Sequence, residues 1–173
     1  MKTVADYIRT IPDFPEPGIM FRDITTVIQD ADGLQLAVDE MAKLLDGLDF
    51  DIIAGAESRG FIFGVPLAYN LHKPFVPIRK AGKLPPPVFA ESYDLEYGSA
   101  SVEVEQNAIH PGERVLIVDD LIATGGTARA GADLIKKAGG IVAGFSFLME
   151  LDGLDGCSRL SEAPISTLIA MPA

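Results

Sequence analysis

The alternation of apolar and polar positions predicts strands and helices in regular succession. Nearly continuous apolar runs are typical of strands buried on both faces, and they occur within residues 51–56, 74–78, 114–119 and 141–149. Apolar residues at helical spacing lie before and between these runs, in the segments 32–47, 60–71 and 127–138. This succession predicts βαβ units with right-handed crossovers, and therefore a three-layer α/β fold around a mostly parallel central sheet.

The remaining segments carry weaker patterns. Residues 4–11 predict a short helix that ends at Pro12, and Asp32 is a good N-cap for the helix that follows. Residues 101–105 alternate valine with acidic residues, which indicates a strand with one solvent-exposed face. Residues 164–170 predict a last strand.

Residues 79–98 match neither a helix nor a strand. They contain the consecutive prolines 85–87, two glycines and several charged and aromatic residues. Long connections of this kind in compact domains are usually lids or disordered segments, so we predict a flexible lid loop over a cleft. An inert surface loop is the alternative.

The composition indicates a single domain that spans residues 1–173. No apolar run reaches the roughly 18 residues that a membrane helix needs, and the early charges at the N-terminus do not resemble a signal peptide. The one cysteine, Cys157, has no partner for an internal disulfide, which favours a reduced, cytoplasmic setting. His72 and His110 together with this cysteine do not make a structural zinc site.

Two carboxylates and a glycine-rich turn follow one of the predicted strands. Asp119 and Asp120 stand where the strand is predicted to end, and Thr-Gly-Gly-Thr at 124–127 leads into a helix. Free backbone N–H groups at a helix start suit a phosphate group. Because the carboxylates would repel that phosphate, their natural partners are sugar hydroxyls or a shared metal ion. The segment therefore predicts a site for a phosphorylated sugar.

Simpler interpretations of this segment exist. An Asp-Asp pair is often a helix cap or a solvated corner, and most Gly-Gly pairs merely turn the chain. The segment is neither a triphosphate-binding loop nor a dinucleotide fingerprint, because it lacks Gly-Lys-Ser/Thr and Gly-x-Gly-x-x-Gly. Since strand side chains alternate in direction, Asp119 and Asp120 can both reach one ribose only if the chain turns at Asp120.

A second loop of this kind follows the strand 51–56. It places Arg59 and backbone N–H groups at another helix start. Arg59 alone is compatible with a salt-bridged surface residue. At a sheet edge shared with the first loop, however, it makes a second anion pocket, because its guanidinium suits bidentate phosphate binding.

The net charge of −11 argues against binding to duplex nucleic acid, which requires a positive surface. It is unusual for a protein with a polyanionic substrate unless basic residues gather locally. Arg59, Arg79, Lys80 and Lys83 are candidates for such a positive cleft on an acidic body.

These segments resemble the phosphoribosyl pyrophosphate signature of the type I phosphoribosyltransferases. The matching residues occur in the family's order and span nearly the whole chain, at 14–24, 57–61, 79–85, 91–98 and 119–127. The form Asp-Asp-Leu-x-Ala-Thr-Gly-Gly-Thr is similar to that of members that act on adenine. The resemblance implies a type I phosphoribosyltransferase-like fold and transfer of the phosphoribosyl group from phosphoribosyl pyrophosphate to adenine, which gives AMP and pyrophosphate in purine salvage. It also implies Mg²⁺ as cofactor, held mainly by substrate oxygens, and a homodimer.

The resemblance further implies where each part of the substrates binds. The ribose 5-phosphate is expected on Asp119, Asp120, Ala123, Thr124, Gly125, Gly126 and Thr127. The pyrophosphate is expected on Glu57, Ser58, Arg59, Arg79, Lys80 and Lys83. The adenine ring is expected against Met20, Phe21, Arg22 and Leu121. For catalysis, Arg59 and Lys83 are expected to stabilise the leaving pyrophosphate, and Glu96 to polarise the base or take its proton.

Alternatives remain for the base site and for the reaction. Core packing is the simpler interpretation of Met20 and Phe21, and Arg22 with Asp23 is alternatively a structural ion pair. Transfer to a 6-oxopurine or to orotate is the second choice of reaction. A regulator that binds phosphoribosyl pyrophosphate without catalysis would be expected to carry a DNA-binding segment or a basic surface, which this acidic chain lacks.

Two positions depart from the usual family pattern. Thr26 stands where a proline commonly follows Ile-Thr, and Cys157 stands near the usual Gly-Arg. Both departures put the local loop shape in question more than the reaction.

Overall fold

The strands of the protein divide into a small hairpin and a large sheet, as the computed structural model describes them for residues 1–95 and 97–173. The antiparallel hairpin consists of β1 (Arg9–Pro12) and β2 (Met20–Asp23). The seven-stranded sheet consists of β3 (Ile52–Ala56), β4 (Phe75–Lys80), β5 (Val88–Asp94), β6 (Ser99–Glu105), β7 (Arg114–Ile122), β8 (Ile141–Asp152) and β9 (Ile165–Pro172). Their order across the sheet is β5-β6-β4-β3-β7-β8-β9.

The helices connect these strands. The α-helices are α1 (Thr25–Ile28), α2 (Ala31–Leu44), α3 (Arg59–Asn70) and α4 (Gly126–Lys137), and two 3-10 helices span Val4–Tyr7 and Gly156–Arg159. Among the described residues, no helix combines the length and apolar character that a bilayer crossing requires.

Five strands run in parallel and bring their carboxyl ends to one edge of the sheet. β3 pairs in parallel with β4 and β7, and the parallel ladder continues through β8 to β9. β6 pairs antiparallel with both β4 and β5, so the antiparallel part is confined to one side of the sheet. The mostly parallel sheet predicted from the sequence is thereby confirmed.

Both faces of the central strands are buried, which explains their continuous apolar sequence. In β7, Val115 and Ile117 belong to the core cluster that includes α4, whereas Leu116 and Val118 belong to the cluster that includes α2 and α3. This alternation follows from the two-residue period of a strand. The sheet therefore lies between two helical layers, as predicted.

The N-terminal segment differs from the sequence prediction. The helix predicted over residues 4–11 is wrong, because a short 3-10 helix gives way to β1, in which Arg9 pairs with Asp23. The predicted cap of α2 is also wrong by two residues. The Asp30 side chain accepts hydrogen bonds from the backbone N–H groups of Asp32 and Gly33, both at 3.0 Å. Aspartates two residues apart are equally good caps, so composition alone does not choose between them.

The segment 79–98 contains more regular structure than its sequence indicated. β5 occupies its second half and forms a hairpin with β6, in which Val88 pairs with Glu105 and Asp94 with Ser99. Leu95 N–H donates to the carbonyl oxygen of Gly98 at 2.9 Å. Glu96 lies outside the described residues, and the motion of the predicted lid stays a prediction.

Candidate active site

A cleft of two adjoining pockets opens at the carboxyl ends of β3 and β7. The larger pocket has a volume of about 340 Å³ and the smaller one about 240 Å³. Both pockets are lined by Arg59, Tyr93, Asp119, Asp120 and Thr127. The larger one adds the residues Asp94, Leu95, Leu121, Ile122, Ala123, Thr124, Gly125, Gly126 and Ala128. The two strand-end loops singled out in the sequence therefore do share one sheet edge.

The glycine-rich turn forms a tight entry into α4. Gly125 has a φ of +82°, a conformation that costs glycine little and other residues more. The helix begins at Gly126, so the backbone N–H groups of its first turn have no partner within the helix. Thr124 is exposed, and Thr127 lines both pockets. This arrangement provides N–H and hydroxyl donors for an anion.

The two aspartates lie within a strand that is longer than predicted. β7 continues to Ile122, which corrects the expectation that the strand ends at Asp119 and turns at Asp120. The ladder to β8 persists there, because Asp119 pairs with Phe147 and Leu121 with Met149. Both residues nevertheless line the cleft.

The two carboxylates have different surroundings. Asp120 is buried, and its Oδ2 lies 3.0 Å from Nε of Arg59. No described residue donates an aligned hydrogen bond to this oxygen. Asp119 Oδ1 accepts a hydrogen bond from the backbone N–H of Asp120 at 2.8 Å. Burial, followed by the charge of Asp120, raises the pKa of Asp119 well above its ordinary value.

Close packing brings the start of α3 against β7. A Cβ on Gly60 would lie 2.9 Å from the carbonyl oxygen of Val118 and 3.0 Å from Oδ1 of Asp119. Only glycine fits at this approach, and it places Arg59 beside the aspartates. The glycine after Arg59 is therefore part of the site geometry.

Glu57 contacts the basic residues for which the sequence predicted a role in pyrophosphate binding. Its carboxylate accepts hydrogen bonds from the backbone N–H of Lys80 at 2.6 Å and from Nζ of Lys83 at 2.9 Å, and Arg79 Nε lies 3.4 Å away. Although burial alone raises the pKa of Glu57, the hydrogen bonds from Lys83 and Lys80 lower it below its ordinary value. This carboxylate therefore holds the segment 79–83 in place.

The predicted pyrophosphate residues divide into two groups. Glu57, Arg59 and Lys80 line the smaller pocket. Ser58, Arg79 and Lys83 lie outside the lining of both pockets, although the latter two are joined to it through Glu57.

The predicted base residues are not brought together in this conformation. Leu121 lines the larger pocket, whereas Met20, Phe21 and Arg22 belong to the hairpin and lie outside its lining. Phe21 packs edge-on against Phe14, with ring centroids 5.1 Å apart. Arg22 donates from Nη2 to the carbonyl oxygen of Pro172 at 2.7 Å, which ties the hairpin to β9.

Comparison with known proteins agrees with this geometry. The sequence model of the phosphoribosyl transferase domain family matches residues 26–155. The chain belongs to the phosphoribosyltransferase family. A relative from Agathobacter rectalis, called adenine phosphoribosyltransferase, is 62% identical over 170 residues. The match covers 98% of this chain and 98% of the relative.

Solved structures extend the likeness to the fold. The crystal structure of adenine phosphoribosyltransferase from Thermoanaerobacter pseudethanolicus is 49% identical, with a TM-score of 0.93, and the match covers 97% of this chain and 98% of that one. The Saccharomyces cerevisiae enzyme, complexed with an imino-altritol bisphosphate and adenine, is 41% identical with a TM-score of 0.89, over 95% of this chain and 96% of that one. The family and fold expected from the sequence, and with them a transferase activity, are confirmed.

One residue of this phosphoribosyltransferase was not assigned a role from the sequence. Tyr93 of β5 lines both pockets, and its Cδ2 would lie 3.7 Å from a Cβ on Gly126. The signal available was an aromatic residue within the predicted lid, but the pairing of β5 with β6 that aims it at the cleft is not visible in a local pattern.

The departure at Thr26 has a clear structural consequence in this phosphoribosyltransferase. Thr26 Oγ1 accepts a hydrogen bond from the backbone N–H of Arg9 at 3.2 Å and lies 2.6 Å from the carbonyl oxygen of Tyr7. A proline would lack this hydroxyl. The threonine therefore ties the start of the hairpin to α1.

Within the ranges 1–95 and 97–173, no group of three or more His, Cys, Asp or Glu side chains is placed to hold a metal ion.

Proposed function

We propose that this phosphoribosyltransferase transfers the 5-phosphoribosyl group from phosphoribosyl pyrophosphate to adenine, giving AMP and pyrophosphate. The observation that carries the proposal is the pair of adjoining pockets with Asp119 and Asp120 between them. Two anion sites that flank a diol site match a sugar with a phosphate at one end and a pyrophosphate at the other. Adenine as the acceptor base is supported by the relatives, which are named for it.

The larger pocket is proposed to hold the ribose 5-phosphate. Backbone N–H groups at 123–127 and the hydroxyls of Thr124 and Thr127 provide the donors, and the positive end of the α4 dipole adds to them. Asp119 and Asp120 would accept hydrogen bonds from the ribose hydroxyls. Both residues line this pocket, and Asp120 Oδ2 accepts no aligned hydrogen bond from a described residue.

The smaller pocket is proposed to hold the pyrophosphate. Arg59 and Lys80 line it, and Arg59 keeps 46% of its side chain exposed although its Nε is engaged with Asp120. Ser58, Glu57 and Arg79 would complete the site. Glu57 would fix the backbone at Lys80, and Arg79 would add positive charge. As the bond to pyrophosphate breaks, Arg59 and Lys83 would stabilise the negative charge that develops on the leaving group.

The base is proposed to lie between Leu121 and the hairpin residues Met20, Phe21 and Arg22. For this the hairpin and the predicted lid must come closer to the larger pocket, which would also exclude water as a competing nucleophile. Glu96 remains the proposed group that polarises the base or takes its proton; it lies outside the described residues.

Mg²⁺ is proposed to bind mainly through the pyrophosphate and sugar oxygens of the substrate. The residues present fit this ion, since Mg²⁺ takes one or two carboxylates and substrate phosphates rather than an all-protein cage, and Asp119 is a partly exposed carboxylate in the cleft. When bound, the ion neutralises charge on the pyrophosphate. The homodimer and the cytoplasmic location expected from the sequence stay predictions.

The deciding experiment offers phosphoribosyl pyrophosphate and Mg²⁺ with adenine, hypoxanthine, guanine or orotate in parallel. Formation of AMP from adenine alone is the expected result. Turnover of another base would retain the phosphate and pyrophosphate assignments and overturn the base assignment. Binding of phosphoribosyl pyrophosphate without turnover of any base would indicate a regulator instead of an enzyme.

A further inference from the structure

The phosphate loop, residues 123–127, rests directly on the backbone of the 3-10 turn Gly156–Arg159. A Cβ on Gly125 would lie 2.5 Å from the carbonyl oxygen of Gly156, and a Cβ on Gly156 would overlap the carbonyl oxygen of Ala123. Backbone therefore meets backbone with no side chain between them. Because closely packed groups transmit displacement, the position of this turn sets the position of the loop.

Arg129 of α4 is bonded to both sides of this contact. Its backbone N–H donates to the carbonyl oxygen of Gly125 at 2.9 Å, as part of the first helical turn. Its Nη1 donates to the carbonyl oxygen of Arg159 at 3.2 Å, at the end of the 3-10 turn. Leu160, the next residue, is buried in the core. Leu160 and Arg129 therefore both hold the end of this turn in place.

Glu162 orients the Arg129 side chain. Its two oxygens accept hydrogen bonds from the two terminal nitrogens of Arg129, with Nη1 to Oε2 at 2.9 Å, and Lys136 Nζ lies 2.9 Å from Oε1. Only 21% of the Glu162 side chain is exposed, so this bidentate pair is screened less than a surface ion pair. Burial alone raises the pKa of Glu162, but the hydrogen bonds from Arg129 and Lys136 lower it to about 2. The carboxylate is therefore charged at neutral pH.

We propose that Arg129 and Glu162 are positioning residues for the 5′-phosphate, which brace the Gly156–Arg159 turn against the phosphate loop. The inference rests on the proposed function, because it takes residues 123–127 as the phosphate site. It has a specific consequence. Weakening the brace lowers the affinity for the phosphate end of the substrate and leaves the pyrophosphate pocket, formed at Glu57 and Lys80, unchanged.

The test is Glu162→Gln, which keeps the shape of the side chain and removes its charge. Dissociation constants are measured by titration calorimetry for ribose 5-phosphate and for pyrophosphate, with KM and kcat determined alongside. We expect the dissociation constant of ribose 5-phosphate and KM for phosphoribosyl pyrophosphate to rise about tenfold, equivalent to ~1.4 kcal/mol, while kcat and pyrophosphate binding stay unchanged. Arg129→Lys, which retains a charge but loses the fork, is expected to give a smaller effect of the same kind.

The matched control is Asp133→Asn. Asp133 accepts a hydrogen bond from Nη2 of the same arginine at 2.7 Å, and lies one helical turn along α4, away from the 3-10 turn. It is expected to bind both ligands like the unmodified protein. The proposal would be overturned if Glu162→Gln weakened the binding of both ligands equally, or if it left the binding of ribose 5-phosphate unchanged.

A second variant covers the case in which Glu162→Gln does not fold. Gly156→Ala displaces the phosphate loop directly. If the contact between the turn and the loop positions the phosphate site, this variant must weaken the binding of ribose 5-phosphate more than that of pyrophosphate. If the unmodified protein turns over no base, the proposed function fails, but the difference between the two ligands still tests the brace.

Discussion

Arg59 Nε lies 3.0 Å from Oδ2 of Asp120, and this ion pair joins the start of α3 to the end of β7 in the cleft. Asp120 is buried, and a buried carboxylate is costly unless a partner compensates its charge. The arginine that is proposed to bind pyrophosphate therefore also stabilises a carboxylate proposed to bind the ribose. The two halves of the substrate site are coupled through one contact.

Replacing Arg59 separates its two roles. Arg59→Met removes the partner of Asp120, and because the arginine is half exposed we expect a loss of only about 1 kcal/mol in the free energy of unfolding. Binding of phosphoribosyl pyrophosphate should be strongly weakened. The double variant Arg59→Met/Asp120→Asn should regain stability without regaining activity, as judged by denaturant unfolding and steady-state kinetics. Recovery of activity in the double variant would show that Arg59 does not contact the substrate.

Because the pKa of Asp119 is raised, we expect that replacing this residue stabilises the folded protein by an amount that depends on pH. Between the unfolded value of about 3.9 and the higher folded value, the unfolded state releases its proton first, so the stability of the protein falls as pH rises. The variant Asp119→Asn does not lose this stability, because asparagine does not titrate. We expect it to unfold at a higher temperature than the unmodified protein at neutral pH, with an advantage that shrinks as the pH approaches about 4, while turnover falls.

The control for this prediction is Asp39→Asn, at an exposed position of α2. It is expected to unfold like the unmodified protein at each pH, in buffer without Mg²⁺. A stability advantage of Asp119→Asn that does not change with pH would contradict the assignment of a raised pKa.

Replacing Glu57 is expected to weaken binding at the pyrophosphate end of the substrate. Glu57→Gln removes the charge that holds Lys83, and hydrogen bonds to charged groups contribute about 1.5–3 kcal/mol. We expect the inhibition constant of pyrophosphate and KM for phosphoribosyl pyrophosphate to rise by about tenfold or more, with KM for adenine little changed. Glu103→Gln serves as the control, because among the described residues the Glu103 side chain accepts a single hydrogen bond, from the backbone N–H of Gly82 in the same segment, at 3.2 Å. An equal effect in both variants would indicate general loosening of residues 79–83.

A side chain at Gly60 is expected to disturb the site by steric overlap. A methyl group there cannot be accommodated between Val118 and Asp119 without movement, so Gly60→Ala is expected to lose about 1–3 kcal/mol of stability and most of its activity. Gly131→Ala is the matched control in α4. Its new Cβ would lie 3.5 Å from Ile78 Cδ1, an ordinary contact, and it should be neutral or stabilise the helix by about 0.5–1 kcal/mol. Full activity of Gly60→Ala would show that the position of Arg59 is not critical.

Local sequence patterns predicted the central layers of the fold with few errors. The runs that became β3, β4, β7 and β8 are apolar over most of their length because both faces of the sheet are covered there, and this burial is visible in the composition. The glycine-rich turn and the aspartates were also visible, since their chemistry depends on neighbours in the chain. Apart from the α2 cap and the end of β7, the errors occurred at residues 4–11 and 79–98, where β1 and β5 exist only because another strand pairs with them.

The amino-acid sequence by itself determined the layered α/β fold, the glycine-rich turn before α4 and the family, because each is encoded in short segments with a characteristic order. The tertiary structure alone decided that β7 runs through both aspartates, that Arg59 pairs with Asp120, that Glu57 gathers Lys80 and Lys83, and that Tyr93 faces the cleft. These contacts join residues that are far apart in the chain. Their partners are chosen by packing and by the compensation of buried charge, which no local pattern records.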